Sequence, residues 1–123
     1  MSVNWIEYKE KKLLFIDAAN LTNNNDALRA NLEALVSLLQ KESKNSVLAV
    51  ADLRNTHLNN NALLALMTNA PLAAPYFRKS ALVIEPNHAR RVILDSFGHF
   101  IGHLPKRFDD LEEAKDWLVS EEA

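Results

Sequence analysis

The segment Val47–Leu53, VLAVADL, constrains this chain more than any other. Its apolar residues do not alternate with polar ones. A strand with one wet face would show that alternation, whereas a near-continuous apolar run needs cover on both sides, as a central strand in a helix-flanked sheet has. Ala49 and Ala51 leave room for close packing above such a strand. Asp52 lies near the carboxyl end, where the backbone begins to leave the sheet. The polar stretch Arg54–Asn60 follows, and a helix is predicted to begin just beyond Asn59-Asn60-Asn61. A loop and a helix N-terminus exposed at the end of a buried strand form a common place for recognition in α/β proteins.

The rest of the chain alternates strand and helix patterns around this segment. Trp5–Tyr8 and Leu13–Ile16 read as a hairpin joined through Lys9–Lys12, with Trp5 and Glu7 on one face and Ile6 and Tyr8 on the other, one face buried and one exposed. After the polar turn Thr22–Asn25, Asp26 starts a predicted helix to about Gln40. Leu28, Leu32, Leu35 and Leu39 share one side of it, widened by Leu38. The helix after Asn61 is expected to bury Leu63, Leu66 and Met67. Pro71 and Pro75 argue against a continuous helix through Asn69–Tyr76. Ala81–Ile84 supplies another strand, and Asn87 caps a helix holding Val92, Ile93 and Phe97. Leu104–Phe108 is a last strand, placed at a sheet edge by Pro105. Asp109 as N-cap with Glu112 at N3 opens a final helix whose inner face is Leu111, Ala114 and Leu118, broadened by Trp117. The order β-β-α-β-α-β-α-β-α predicts an α/β fold, a four- or five-stranded mixed sheet flanked by helices, with residues 1–123 forming a single domain.

Composition narrows the function classes. The formal net charge of -2 gives no general attraction to nucleic acid. Charge is uneven along the chain: seven basic and seven acidic groups in residues 1–63, six against two in 64–107, and one against seven in 108–123. The absence of cysteine excludes disulfides, thiolate chemistry and cysteine-bound metal, and fits a cytoplasmic protein. The opening MSVNWIEYKEKK lacks the basic-then-apolar order of a signal peptide, and no apolar run reaches bilayer-spanning length.

Four stretches carry a resemblance: YKEKKLLFIDAANL near the start, SVLAVADLRNTHLNNNALLAL in the middle, SALVIEPN before the next helix, and FDDLEEAKDWL near the end. Taken in order, they make the chain similar to the STAS superfamily and specifically to its SpoIIAA-like branch. The resemblance implies a small four- or five-stranded α/β domain. Anti-sigma factor antagonists of that superfamily bind a partner kinase through a loop and helix after the third strand, and are switched by phosphorylation of a serine at the helix start. The matching region here, about Asn59–Ala62, reads NNNA and contains no serine. Neither asparagine nor alanine offers the hydroxyl a phosphoester requires. Thr56 belongs to the preceding loop and does not replace it. The resemblance thus implies the binding mode without the switch.

The residues most suited to binding are Arg54, Asn55, His57, Leu58, Asn59 and Asn60, which combine amide, guanidinium and imidazole groups with one apolar contact around a helix start. The expected partner is a protein or small ligand, with a homodimer also open, and no cofactor or nucleic acid is expected. The alternative is a small enzyme or metal-binding protein that brings Asp17, Asp52 and His57 into one pocket, since two carboxylates at neighbouring strand ends can share a proton or a cation. His99 and His103, four apart but flanked by Gly98 and Gly102, lack the rigid spacing of a zinc clamp, and neither His57 nor His88 completes a known ligand pattern. The basic pairs Arg78-Lys79, Arg90-Arg91 and Lys106-Arg107 are the remaining anion-binding candidates.

Overall fold

The structure, a computed structural model, describes residues 2–19, 26–56, 60–85 and 105–120. Five strands form one sheet in the order β1-β2-β3-β4-β5. β1 (Ser2–Tyr8) and β2 (Lys11–Asp17) are an antiparallel hairpin; β3 (Val47–Asp52), β4 (Phe77–Val83) and β5 (Lys106–Phe108) continue parallel to β2. The sheet is therefore mixed and five-stranded, and β5 is an edge strand that begins at Lys106, just after Pro105, not at Leu104 as the sequence suggested.

The hairpin turn is tighter than the sequence suggested. Tyr8 pairs with Lys11, leaving only Lys9 and Glu10 in the turn, both at positive φ (49° and 70°). Positive φ at both central residues is the geometry that matches the natural twist of two-residue hairpins. The two faces of β1 also differ from the expected buried-and-exposed split. Val3 and Trp5 pack toward one core, while Ile6 and Tyr8 pack toward the other.

Those two cores exist because neighbouring residues on each strand point to opposite sides of the sheet. Leu14, Val47 and Ala49 face α1 (Asp26–Leu39) and α2 (Asn60–Ala73), joining Leu28, Leu32, Leu35, Val36 and Leu39. Leu13, Val50, Ala81 and Val83 face α3 (Leu111–Val119), joining Ala114 and Leu118. β3 is covered on both sides, and the leucine periodicity of α1 marks its buried face as expected.

Three local expectations are corrected. First, α2 begins at Asn60, inside the asparagine run, and continues through Pro71 to Ala73, followed by a 3-10 turn at Ala74–Tyr76. Proline removes one backbone donor, yet Ala65 and Ala73 are buried in the core on either side of it, so packing outweighs the local penalty. Second, Met67 is 42% exposed, and the buried side of α2 is carried by Ala65, Asn69 and Ala73, with Leu66 half-buried; the Leu63 side chain lies outside the description. Third, α3 is capped by Asp110, whose carboxylate accepts from the Glu112 N–H at 3.3 Å, so the cap sits one residue later than expected. The expected helix around Val92–Phe97, together with Asn87, His88, Arg90-Arg91, His99 and His103, falls outside the described residues, as does the turn Thr22–Asn25.

α3 is tied to the sheet at two places in its C-terminal half. Lys79 Nζ donates to the carbonyls of Trp117 (3.2 Å) and Ser120 (3.0 Å), placing a cation at the negative end of the helix. Near the hairpin, Asp116 accepts from Lys9 Nζ at 2.6 Å and from the Tyr8 hydroxyl at 2.7 Å. These bonds, that of Lys9 foremost, hold the Asp116 carboxyl below its ordinary range, while the Asp116 bond is the main cause raising the Tyr8 phenol.

Two measurements test this packing. Leu118→Asp, which puts a charge into the α3 core, is expected to cost about 2–4 kcal/mol in urea unfolding; an unchanged unfolding free energy contradicts the assignment. Asp116 has a lower pKa folded than unfolded, so its contribution is present above the ordinary carboxylate value and is lost as pH falls through the depressed one. The stability gap between the native chain and Asp116→Asn should therefore narrow on acidification. A gap that is constant or widens refutes the link.

Candidate functional site

The carboxyl ends of β2, β3 and β4 converge on the turn that follows β3. Asp17 and Asp52 are register partners across β2 and β3. The ladder extends beyond the strands: Ala18 N–H donates to the Asp52 carbonyl and Leu53 N–H to the Val83 carbonyl, both at 2.9 Å. The turn thus leaves a fully paired base.

Asp52 is only 3% exposed, and its carboxylate closes the turn on itself. It accepts from Arg54 N–H (3.1 Å), Nε (3.0 Å) and Nη2 (2.8 Å), a two-pronged guanidinium contact plus a backbone bond. Such charge-assisted forks are directional as well as strong. The Asp52 bond raises the Arg54 pKa further, so the guanidinium stays charged. Asn55 takes positive φ (54°), a conformation asparagine tolerates, and its N–H donates to Glu85 Oε1 at 2.7 Å. Thr56 is 1% exposed; its hydroxyl donates to the Ala18 carbonyl at 2.5 Å. The turn is thereby pinned to β2 through Thr56, to β3 through Arg54, and to the end of β4 through Asn55.

Of the residues singled out for binding, Arg54 is partly exposed with its fork on Asp52, while Asn55 and Asn60 are exposed on either side of the site. His57, Leu58 and Asn59 lie outside the described residues. The outward side of α2 was not anticipated. Leu64 is 62% exposed, Met67 42% and Leu72 55%, and Asn60, Asn61, Thr68 and Pro71 are exposed beside them. Positions 60, 64, 67, 68, 71 and 72 follow helical spacing, so they form one stripe running away from the turn. A sequence signal for it exists: from Asn55 to Phe77 the chain carries no Lys, Arg, Asp or Glu. In a protein that is 24% charged, an exposed helix without one charged residue is unusual surface.

The carboxylate pair is engaged differently from the enzyme alternative. Asp17 Oδ1 accepts from the Ala19 N–H at 3.2 Å, and Asp52 is occupied by Arg54. Each acid therefore shapes its own turn, which is the ordinary use of aspartate at such positions. Among the described residues no group of three or more His, Asp or Glu side chains is placed to hold a metal ion. Of the basic pairs, Lys79 serves the end of α3, and Lys106 lies over the Phe108 and Trp117 rings at 5.7 and 5.3 Å. No helix among the described residues is long and apolar enough to cross a membrane.

A solved structure of an uncharacterised protein of the DUF3478 family, from Shewanella loihica PV-4 and described as having a SpoIIAA-like fold, matches with a TM-score of 0.71 over 96% of this chain and 93% of that one. The fold is SpoIIAA-like. At 16% identity the likeness speaks to architecture alone. A scan against protein-family models found no match, and neither did a search of curated proteins. In this SpoIIAA-like chain α2 opens with Asn60-Asn61-Ala62-Leu63, so its first turn offers amides and no hydroxyl.

Thr56→Val keeps the shape of the side chain and removes the bond to Ala18. It is expected to lower unfolding stability by about 1–3 kcal/mol, the range for leaving a buried partner unsatisfied, measured by urea denaturation. A neutral effect would show that the turn is not anchored there.

Proposed function

We propose that this chain is a single-domain, non-enzymatic regulatory module. It recognises a protein partner through the turn Arg54–Asn60 and the outward stripe of α2, without a serine phosphorylation switch. The binding residues are Arg54, Asn55, His57, Leu58, Asn59 and Asn60, extended along α2 by Leu64, Met67 and Leu72. One observation carries this reading: an uncharged stripe with three exposed large apolar side chains lies on α2, the helix that comes next in sequence after a turn held by bonds to three strand ends.

Such a surface suits protein association for two reasons. Apolar side chains with helical spacing supply area that is stabilising when covered, at roughly 25 cal/mol per Å², and amides at the edge can pair without the desolvation cost of charges. The fixed turn adds little ordering cost on binding. The partner surface that fits is apolar at its centre and uncharged around it. The SpoIIAA-like fold supports the same location, because proteins of the resembling superfamily use the loop and helix after the third strand. The first turn of α2 lacks the hydroxyl for a phosphate-controlled version.

The test is affinity capture from the native cell extract with the full chain, the double variant Leu64→Lys/Met67→Lys, and a control, Lys44→Glu, in an exposed turn. The native chain and the control should retain the same partner, and the double variant should lose it by about tenfold or more with its thermal unfolding unchanged. Equal recovery by all three overturns the proposal. A solution mass that doubles with concentration in the native chain, and not in the double variant, assigns the surface to a second copy instead.

A further inference from the structure

The two edges of the sheet are built differently. β5 is three residues long, follows Pro105, and carries the exposed Lys106 and Arg107. Short length, proline and positive charge are ordinary means of keeping an edge strand from pairing with another chain. β1 has none of them. It is seven residues long, contains neither proline nor lysine, and keeps an unbroken register with β2 from Ser2 to Tyr8. Among the described residues no strand lies on its outer side.

The hairpin decides which backbone groups that outer side offers. Where a two-residue turn closes a hairpin, the residues flanking the turn bond to each other, and the ladder alternates from there. Tyr8 and Lys11 are that flanking pair. Asn4 and Ile6 therefore turn their N–H and C=O groups toward β2, while Val3, Trp5 and Glu7 turn theirs outward. An antiparallel strand laid against this edge meets donors and acceptors at Val3 and Trp5, within a stretch, Ser2–Ile6, that has no charged side chain.

We infer that this edge pairs with the same edge of a second copy, antiparallel about a two-fold axis at Asn4, joining two five-stranded sheets into one. A two-fold contact repeats across the axis every charge that it contains, so it suits a neutral stretch such as Ser2–Ile6. An unlike chain is commonly selected by complementary charge, and this stretch presents none to select by. An axis at Asn4 sets Val3 against the partner's Trp5, a β-branched side chain against an aromatic one, which is a favourable cross-strand pair. It also leaves both copies of Glu7 beyond the paired stretch, at opposite ends. An axis at Trp5 would instead bring the two copies of Lys12 together, because Lys12 Nζ lies 4.0 Å from the Trp5 ring. The contact uses β1 alone and does not depend on the proposed partner surface along α2.

Sedimentation equilibrium on the full chain should give a mass that climbs from one chain toward two with concentration, equally in the native protein and in Leu64→Lys/Met67→Lys. Amide hydrogen exchange should slow at Val3 and Trp5 as concentration rises, while Asn4 and Ile6 are protected throughout. Asn4 is exposed and lies at the axis, so it supplies the decisive variants. Asn4→Lys and Asn4→Glu each set like charges against one another and should weaken dimerisation about fivefold or more. Mixed in equal amounts, the two should recover it as a mixed dimer. Val3→Pro removes an outward donor and spares the bonds to β2, and it should abolish the dimer. A native chain that stays monomeric up to about 1 mM overturns the inference. So does a dimer indifferent to both Asn4 charges, a mixture that recovers nothing, or a dimer lost in Leu64→Lys/Met67→Lys. The exchange pattern of the native chain decides the matter should Val3→Pro fail to fold.

Discussion

Burial of β3 on both faces is the constraint from which the rest of the molecule follows. Val47 and Ala49 look toward α1 and α2, and Val50 looks toward α3. A strand so placed needs a partner on each edge and a helix layer on each side, so the parallel neighbours β2 and β4 and the three described helices are demanded together. Each fully buried valine or leucine contributes roughly 1.5–3 kcal/mol, which is why a single misdirected residue here would disturb both layers. The same burial explains why β3 must discharge its polar end abruptly. Asp52 is the last residue of the strand, and its carboxylate is satisfied within two residues by Arg54.

Much of this architecture could be read from residue spacing. Leu28, Leu32, Leu35 and Leu39 fall on one side of any helix, and Ala114 with Leu118 do the same for α3, so their burial followed from periodicity. α2 resisted the same treatment because Ala62–Met67 is apolar on every side, and periodicity then cannot say which side meets the core. The structure turns Ala65 inward and Leu64 outward. Pro71 misled for a related reason: the local rule about its missing N–H is sound, but burial beyond it settles the outcome. The shift from Asp109 to Asp110 as the α3 cap reflects two adjacent residues with the same chemistry.

The site divides along the same line. That the chain turns at Arg54–Thr56 on leaving a buried strand followed from hydropathy and polar content. Its anchors were invisible, because Thr56 reaches back to Ala18 and Asn55 meets Glu85, contacts between residues far apart in the chain. Arg54, a binding candidate by sequence, also braces the turn through its fork on Asp52. α2 presents Leu64 and Met67 to the outside and turns Leu66 and Ala70 toward the sheet.

The strand order has one more consequence. Each strand lies beside the next in sequence, from β1 to β5, so the described sheet never reverses its winding. Many open α/β sheets bind ligands in the crevice that opens where winding changes direction and adjacent loops splay apart. Here Thr56 and Asn55 tie the start of the turn after β3 to the residues just after β2 and β4. Strand ends bonded to one another in this way, among the described residues, present a braced rim where diverging tips would part.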